Sequence, residues 1–395
     1  MNTRVLATVL LTVFLDLVGF GLLIPLVPFY ALEFQASALE VTLLMAVYSF
    51  AQFLFAPVWG QLSDRHGRRP ILLASIGIGA LMLAGFAMAD QLWLLFLFRV
   101  LHGACAANIS TAQAAVADIT PPEKRAMGMG LIGAAFGVGF TLGPFIGGEL
   151  SVYGLAVPIW AAAGLSAFNF ALALFTLPET RVPGKEGGRR RTIDPRAMIR
   201  VLRHPVVGTA IAVTFLATAA FSMMESTYAL FVDELYQMTA KDLGRLFAVA
   251  GVVMIGVQGG LIGRLVERFG ERALILSGFC LLIVSLGLLG WAEPTWPMLI
   301  VFVTMALGNG ISSPSLQALI SKATPESEQG LVLGTNQSMS ALARGTAPAL
   351  GGVVFGAIGP RSPFLLGAAV LVIAVCLAIP ATRQITDQRA TERPS

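Results

Sequence analysis

Long apolar runs alternate along the chain with short polar breaks. Twelve runs are long enough to cross a hydrocarbon core: about 5–30, 41–62, 71–89, 92–119, 127–150, 155–177, 205–233, 242–265, 273–292, 297–321, 331–357 and 362–382. A core about 30 Å thick needs roughly 20 helical residues. Within the runs, apolar positions do not alternate with period two, which argues against barrel strands. Lipid offers no partner to backbone N–H and C=O, so each run is predicted to be a helix. The first run is too long for a cleaved signal peptide and lacks a small-residue cleavage site. The pattern predicts an all-α polytopic membrane protein with twelve transmembrane helices.

One polar break is longer than the rest. It divides the chain into an N-terminal six-helix bundle (1–180), a linker (181–204), a C-terminal six-helix bundle (205–382) and a tail (383–395). Within the linker, Asp194-Pro195 offers an N-cap followed by proline at the first helical position. Ala197, Met198, Val201 and Leu202 would then share one face, and Arg196, Arg200 and Arg203 another. This reads either as a short amphipathic helix on the membrane surface or as a solvated basic linker.

The two halves repeat each other. A shift of 203 places Gly60, Leu62, Asp64, Arg65, Gly67 and Arg69 on Gly263, Leu265, Glu267, Arg268, Gly270 and Arg272. A shift of 204 places Gln113, Thr120 and Pro121 on Gln317, Thr324 and Pro325, and Pro144, Gly147 and Gly148 on Pro348, Gly351 and Gly352. Matches at nearly one offset indicate a parallel internal repeat, which in membrane proteins is a transporter signature: two halves rock about a central site.

Composition and charge sharpen this. Only 12% of residues are charged and 56% are hydrophobic, against about 25% charged in soluble domains. With a cytoplasmic N-terminus, most Lys and Arg fall in cytoplasmic segments, while the opposite side holds Lys241, Arg245 and Arg361. The expected location is therefore a bacterial-type cytoplasmic (inner) membrane, with both termini cytoplasmic. The net charge of +4 reads as an insertion signal. It does not indicate nucleic-acid binding, because the basic residues have no interleaved aromatic platform. Cys105, Cys280 and Cys376 all fall inside spans and give neither a disulfide framework nor metal spacing; they are expected to be small packing residues.

The charged knot GQLSDRHGRRP (60–70) belongs to the repeat unit, since GRLVERFGERA (263–273) copies it. Gly60 and Gly67 would allow close helix approach and a tight turn. Asp64 could pair with Arg125 of the 4–5 loop or face the N-terminus of the eleventh span. Gly60, Asp64, Arg65, Gly67, Arg68, Arg125, Glu267 and Arg268 are thus expected to form a conformational latch.

These features resemble the major facilitator superfamily over essentially the whole chain. The 2–3 loop matches that family's motif, RVLHG (99–103) its fourth-span pattern, and GFTLGPFIGG (139–148) its antiporter motif. Gly139, Gly143, Pro144, Gly147 and Gly148 make a thin, kinked helix face against which a neighbour can pack; ordinary small-residue packing would use the same face. DLVGFGLLIPLVP (16–28) and ADITPPEKR (117–125) look most like the twelve-span drug:proton antiporters of the tetracycline-resistance type. Those exporters carry acids in the third and ninth spans; here 71–89 and 273–292 have none, and Glu225 appears in the seventh. The resemblance implies a major facilitator fold and proton-coupled export, with tetracycline itself weakly indicated.

Asp16, Arg99, Glu225 and Arg344 lie well inside spans. Charges there are costly and should face a cavity or each other. Asp16 and Glu225 occupy equivalent spans, so Glu225 is expected to be the main proton carrier and Asp16 the second, with Arg99 as a counter-charge. His102, one turn on, could relay protons or simply hydrogen-bond. Phe221, Met223, Met224 and Tyr228 around Glu225 suggest an adaptable apolar wall. Asn108, Gln113, Asn309, Gln317, Asn336 and Gln337 are polar candidates, for substrate or as interhelical glue.

The expected function is a proton-coupled antiporter exporting lipophilic small molecules, with no metal and no cofactor beyond the proton gradient. A monomer suffices, because both halves are in one chain. The alternatives are a lipid or amphiphile flippase and a sugar or metabolite exporter. An embedded enzyme is not indicated: no H-E-x-x-H helix, nucleophile elbow or Walker loop is present.

Overall fold

The computed structural model describes residues 3–120, 125–180, 195–325 and 328–392, and over them every regular element is helical. The order is α1 (Thr3–Leu23), α2 (Leu26–Glu33), α3 (Ala38–His66), α4 (Arg68–Ala87), α5 (Leu92–Cys105), α6 (Asn108–Ile119), α7 (Arg125–Leu150), α8 (Ala156–Thr176), α9 (Pro195–Arg203), α10 (Val207–Tyr236), α11 (Ala240–Gly256), α12 (Ile262–Leu289), α13 (Trp296–Lys322), α14 (Gln329–Ile358) and α15 (Ser362–Glu392).

Two predicted spans are split. The first breaks at Ile24-Pro25, between α1 and α2, because proline has no N–H to give the preceding turn. The fourth breaks at Ala106-Ala107, between α5 and α6, where no proline or glycine requires it. Predicted spans eight and nine instead run on as one helical segment, Ala240–Leu289, so eleven described segments are long and apolar enough to cross a membrane. That segment would be about 75 Å long if straight, twice what one crossing needs. It turns at Gly270, whose φ of 75° and ψ of 158° are non-helical. Gly67, its repeat mate, has φ 102° and ψ 165°. The two copies thus share a backbone conformation that side chains resist.

The chain forms two compact units, Met1–Thr192 with Val232–Gly251, and Ile193–Phe231 with Val252–Ser395. In the first, a stripe on α1 (Leu6, Val9, Val13, Leu17) packs against Leu72 and Ile76 of α4, Ala112, Ala115 and Val116 of α6, Ile132 of α7 and Ala173 of α8. Asn169 of α8, fully buried, donates to the Thr12 carbonyl of α1 at 3.0 Å. In the second, α12 meets α13 through Gly278 and Gly308; a Cβ on either would stand 2.7 or 2.8 Å from the other's carbonyl oxygen. Small residues there let backbones approach where lipid supplies no hydrophobic drive.

The linker helix forms as α9 and packs against α14. Val201 is buried; Ile199, Arg200, Leu202 and Arg203 are exposed. Residues 181–194 and the side chains of the tail lie outside the described residues. Cys280 and Cys376 face outward, correcting their expected burial as packing residues.

Candidate functional site

The first unit holds a polar cleft in an apolar bundle. Its lining includes Asp16 and Phe20 of α1, Tyr48 and Gln52 of α3, Ser75 of α4, His102 of α5 and Asn108 of α6. The water-sized space inside is about 30 Å³, room for about two waters. Asn108, the first residue of α6, donates from Nδ2 to Asp16 Oδ1 at 2.6 Å. The carboxyl therefore meets the start of a half-helix, where the dipole favours negative charge.

The break in the fourth span makes this meeting possible, and the carbonyls on its α5 side are taken. Trp59 Nε1 donates to the Ala104 carbonyl at 2.6 Å, Ser75 Oγ to that of Cys105 at 2.6 Å, and Gln52 Nε2 to that of Ala106 at 3.4 Å. The Ala107 N–H donates to Ser75 Oγ at 2.9 Å. Side chains inserted into the helical ladder both cause such a break and satisfy it.

Arg99 is buried, with its guanidinium 4.7 Å from the Tyr48 ring centroid. His102 packs edge-on to the same ring at 5.1 Å. Among the described residues no carboxylate forms an ion pair with Arg99; the expected counter-charge to a carboxylate is replaced here by a cation–π contact, worth about 2 kcal/mol when desolvated. Gln113 is half-buried on α6, outside the cleft lining.

In the second unit, Glu225 on α10 is half-buried and lies within the field of Arg344 on α14, with no direct ion pair between the two among the described residues. The helices meet closely nearby: a Cβ on Gly351 would stand 2.6 Å from Met223 and 3.1 Å from Thr227. Met224 and Tyr228 are fully buried, and Tyr228 packs with Phe231, Phe302 and Phe364 at centroid distances of 5.0–6.0 Å. They are interior packing residues of this unit, while Phe221 is half-buried. Asn309 reaches Met254 Sδ at 3.8 Å, Asn336 is buried and Gln317 is exposed.

The charged knot has links that the sequence did not single out. Asp64 pairs with Arg68, one turn on, at 2.7 Å, and Arg68 Nε also binds Asp118 at the end of α6 at 2.9 Å. The Arg125 side chain lies outside the described residues. Glu179, which the sequence did not single out, accepts the N–H groups of Arg68 and Arg69 at 2.9 and 3.2 Å, capping α4 from a distance. Among the described residues nothing stands within 4 Å of where a Cβ on Gly60 would sit, so none of them packs closely on it. Gly67 does need to be glycine, for its φ and for the Glu179 carboxylate against it.

The second copy keeps the link and reverses its signs. Arg68 and Asp118 map by the same shifts onto Glu271 and Lys322, and these two pair. Arg268 lies over the Phe269 ring. Glu267 stands one turn before Glu271, a like-charge neighbour. Glu271→Arg alone should lower stability by about 1 kcal/mol, by facing Lys322. Glu271→Arg with Lys322→Asp should restore it, recreating the first copy's arrangement with Glu267. Thermal unfolding in detergent reads both; a double variant no better than the single would show that the pair is not what links α12 to α13.

The antiporter-type glycines form a close seam with α1. A Cβ on Gly143 would stand 2.5 Å from the Gly21 Cα, and one on Gly139 2.7 Å from the Leu17 Cβ. Gly147 faces the Leu22 carbonyl, and Gly148 meets Gly244 of α11. At that end Glu149 binds Arg245 at 2.6 Å and Lys241 at 3.6 Å, a pairing the sequence reading missed.

Helical spans with internal small-residue seams, a parallel repeat and ionisable groups held within the bilayer define a multi-pass transporter fold. The chain belongs to the Major Facilitator Superfamily, whose family model matches residues 9–289 and 256–394, a family of transporters rather than enzymes. It is 32% identical over 397 residues to the tetracycline resistance protein, class C, of Escherichia coli, covering 99% of each. It is 28% identical over 375 residues to multidrug resistance protein 2 of Bacillus subtilis (strain 168), covering 93% of this chain and 92% of that one. Among solved structures it is similar to the human organic anion transporter MFSD10 (TETRAN), at TM-score 0.74 and 26% identity over 95% of this chain and 99% of that one. The nucleoside transporter NupG shares the fold at TM-score 0.78 and 14% identity, over 95% and 99%.

Proposed function

We propose that the protein is a proton-coupled antiporter that exports lipophilic small molecules across a cytoplasmic membrane by alternating access, with both termini on the cytoplasmic side and no partner subunit required. The observation that carries this is Asp16: a carboxyl inside a span, hydrogen-bonded to neutral Asn108 in a polar cleft with room for water. Such a group can take up and give up a proton without orphaning a cationic partner. Drug-resistance relatives along nearly the full length support the same reading. A narrower choice of cargo, amphiphiles with an anionic group, is favoured by the organic anion transporter among the similar structures.

The test uses proteoliposomes with an imposed pH gradient and a panel of lipophilic cations, tetracycline, neutral drugs and organic anions. At least one compound should drive proton flux in the wild type. Asp16→Asn should reduce that flux by about 100-fold or more while the compound still binds. If no compound moves protons in the wild type, the antiporter reading is wrong and a lipid or metabolite cargo takes first place.

A further inference from the structure

The break in the fourth span is a built joint. A helix interrupted at the sequence ACAAN should heal, since nothing in those residues forbids helix. It is kept open by three neighbours that bind its carbonyls, Trp59 and Gln52 from α3 and Ser75 from α4; the Cys105 carbonyl also accepts the Ala107 N–H at 2.9 Å, a bond shared with Ser75. Ser75 is central. Its hydroxyl has one proton and two lone pairs; it gives the proton to the Cys105 carbonyl and accepts the Ala107 N–H, bridging the last residue of α5 and the one before α6. It is 1% exposed, so its hydroxyl is committed to these two bonds.

We infer that Ser75 is a positioning residue for proton coupling: it holds the joint between α5 and α6 in the geometry that sets Asn108 against Asp16, so that the charge on Asp16 is felt at the joint. This rests on the proposed role of Asp16. Asp16 Oδ1 accepts from Asn108 Nδ2, and Asn108 follows the Ala107 N–H that Ser75 holds by one residue. A carboxylate accepts that bond more strongly than a neutral carboxyl, so loss of its charge loosens Asn108, and with it the first turn of α6. The ionisable groups facing Asp16 across the cleft are His102 on α5 and Tyr48 on α3, with Arg99 over the Tyr48 ring. α8 carries no ionisable residue. Those described on the other elements packed against α1 lie away from the cleft lining: Tyr30 and Glu33 on α2, Asp118 on α6 and Glu149 on α7, the last two in ion pairs.

Trp59 is a natural reporter, because its indole binds the Ala104 carbonyl at the joint. The other four tryptophans, Trp93, Trp160, Trp291 and Trp296, are exposed and can be replaced by Phe. In that background, Trp59 emission should change with pH. The change should vanish in Asp16→Asn and persist in His102→Gln. Ser75→Ala should displace the emission profile and lower drug-driven proton flux roughly tenfold; Ser75→Thr, which keeps the hydroxyl, should restore both. Emission that does not titrate, that titrates equally in Asp16→Asn, or that is unchanged by Ser75→Ala overturns the inference. Wild-type proton flux in Asp16→Asn instead sinks the proposed role of Asp16, a separate result read in a separate assay.

Discussion

Glu225→Gln should abolish drug-driven proton flux and lower stability in the same variant, and only the second effect should be repaired by also changing Arg344. Glutamine keeps the shape of glutamate but not its charge. Arg344 acts on Glu225 where both lie within spans and are half-buried. Removing one partner of a fully buried ion pair costs about 3–5 kcal/mol, because the survivor is left uncompensated; these two are half-buried and interact without a direct ion pair, so the loss should be about 1 kcal/mol. Glu225→Gln with Arg344→Gln leaves no orphaned charge and should unfold near the wild-type temperature. Proton flux should stay at least about 100-fold down in both variants, since neither carries an exchangeable carboxyl in α10. Thermal unfolding in detergent and flux in proteoliposomes separate the two effects. If Glu225→Gln transports normally, the carboxyl in the second unit is structural and Asp16 alone carries the coupling. If the double variant is no more stable than the single, Arg344 is balanced by something other than Glu225.

The contrast between the two carboxyls shows how far sequence reaches. That Asp16 and Glu225 sit in equivalent spans is legible from the apolar pattern and the repeat. That one is bonded to a neutral amide and the other lies in the field of an arginine is not, because Asn108 lies 92 residues from Asp16 and Arg344 lies four spans beyond Glu225. The split at Pro25 had a signal in the residue type. The split at Ala106-Ala107 had none, since Ser75, Gln52 and Trp59 impose it from other helices. The charged knot was visible as a copied motif, yet its links to Asp118 and Glu179 were not. Identity matching finds Gly67 and Gly270, whose backbone demands glycine, but it overlooks Arg68 and Glu271, where the copies keep an interaction by exchanging signs. Motif reasoning also treated Gly60 and Gly143 alike, and only packing separates them.

That separation gives a second large effect. Gly143→Val should prevent α7 from seating on α1, whereas Gly60→Ala should be nearly neutral. A Cβ on Gly143 would meet the Gly21 Cα at 2.5 Å, backbone against backbone, so no side-chain rotation relieves it. Valine adds two methyl groups beyond that atom and forces the helices apart by about 1 Å, enough to forfeit a quarter to a half of each dispersion contact along the seam. Overpacking of this kind costs about 1–3 kcal/mol, and small-residue seams are a main source of helix association in lipid. Leu17, one residue beyond Asp16, packs on Gly139 in the same seam. Displacing α1 should therefore also lengthen the Asp16–Asn108 hydrogen bond and reduce coupled flux in whatever protein remains folded. Gly143→Ala should fall between, and Gly21→Ala should match it, because the two glycines face each other. The measurement is the unfolding temperature of each purified variant together with its proton flux per folded molecule. If Gly143→Val unfolds with the wild type, the seam is not under the close contact described. If it is destabilised yet couples normally, α1 positions Asp16 independently of α7.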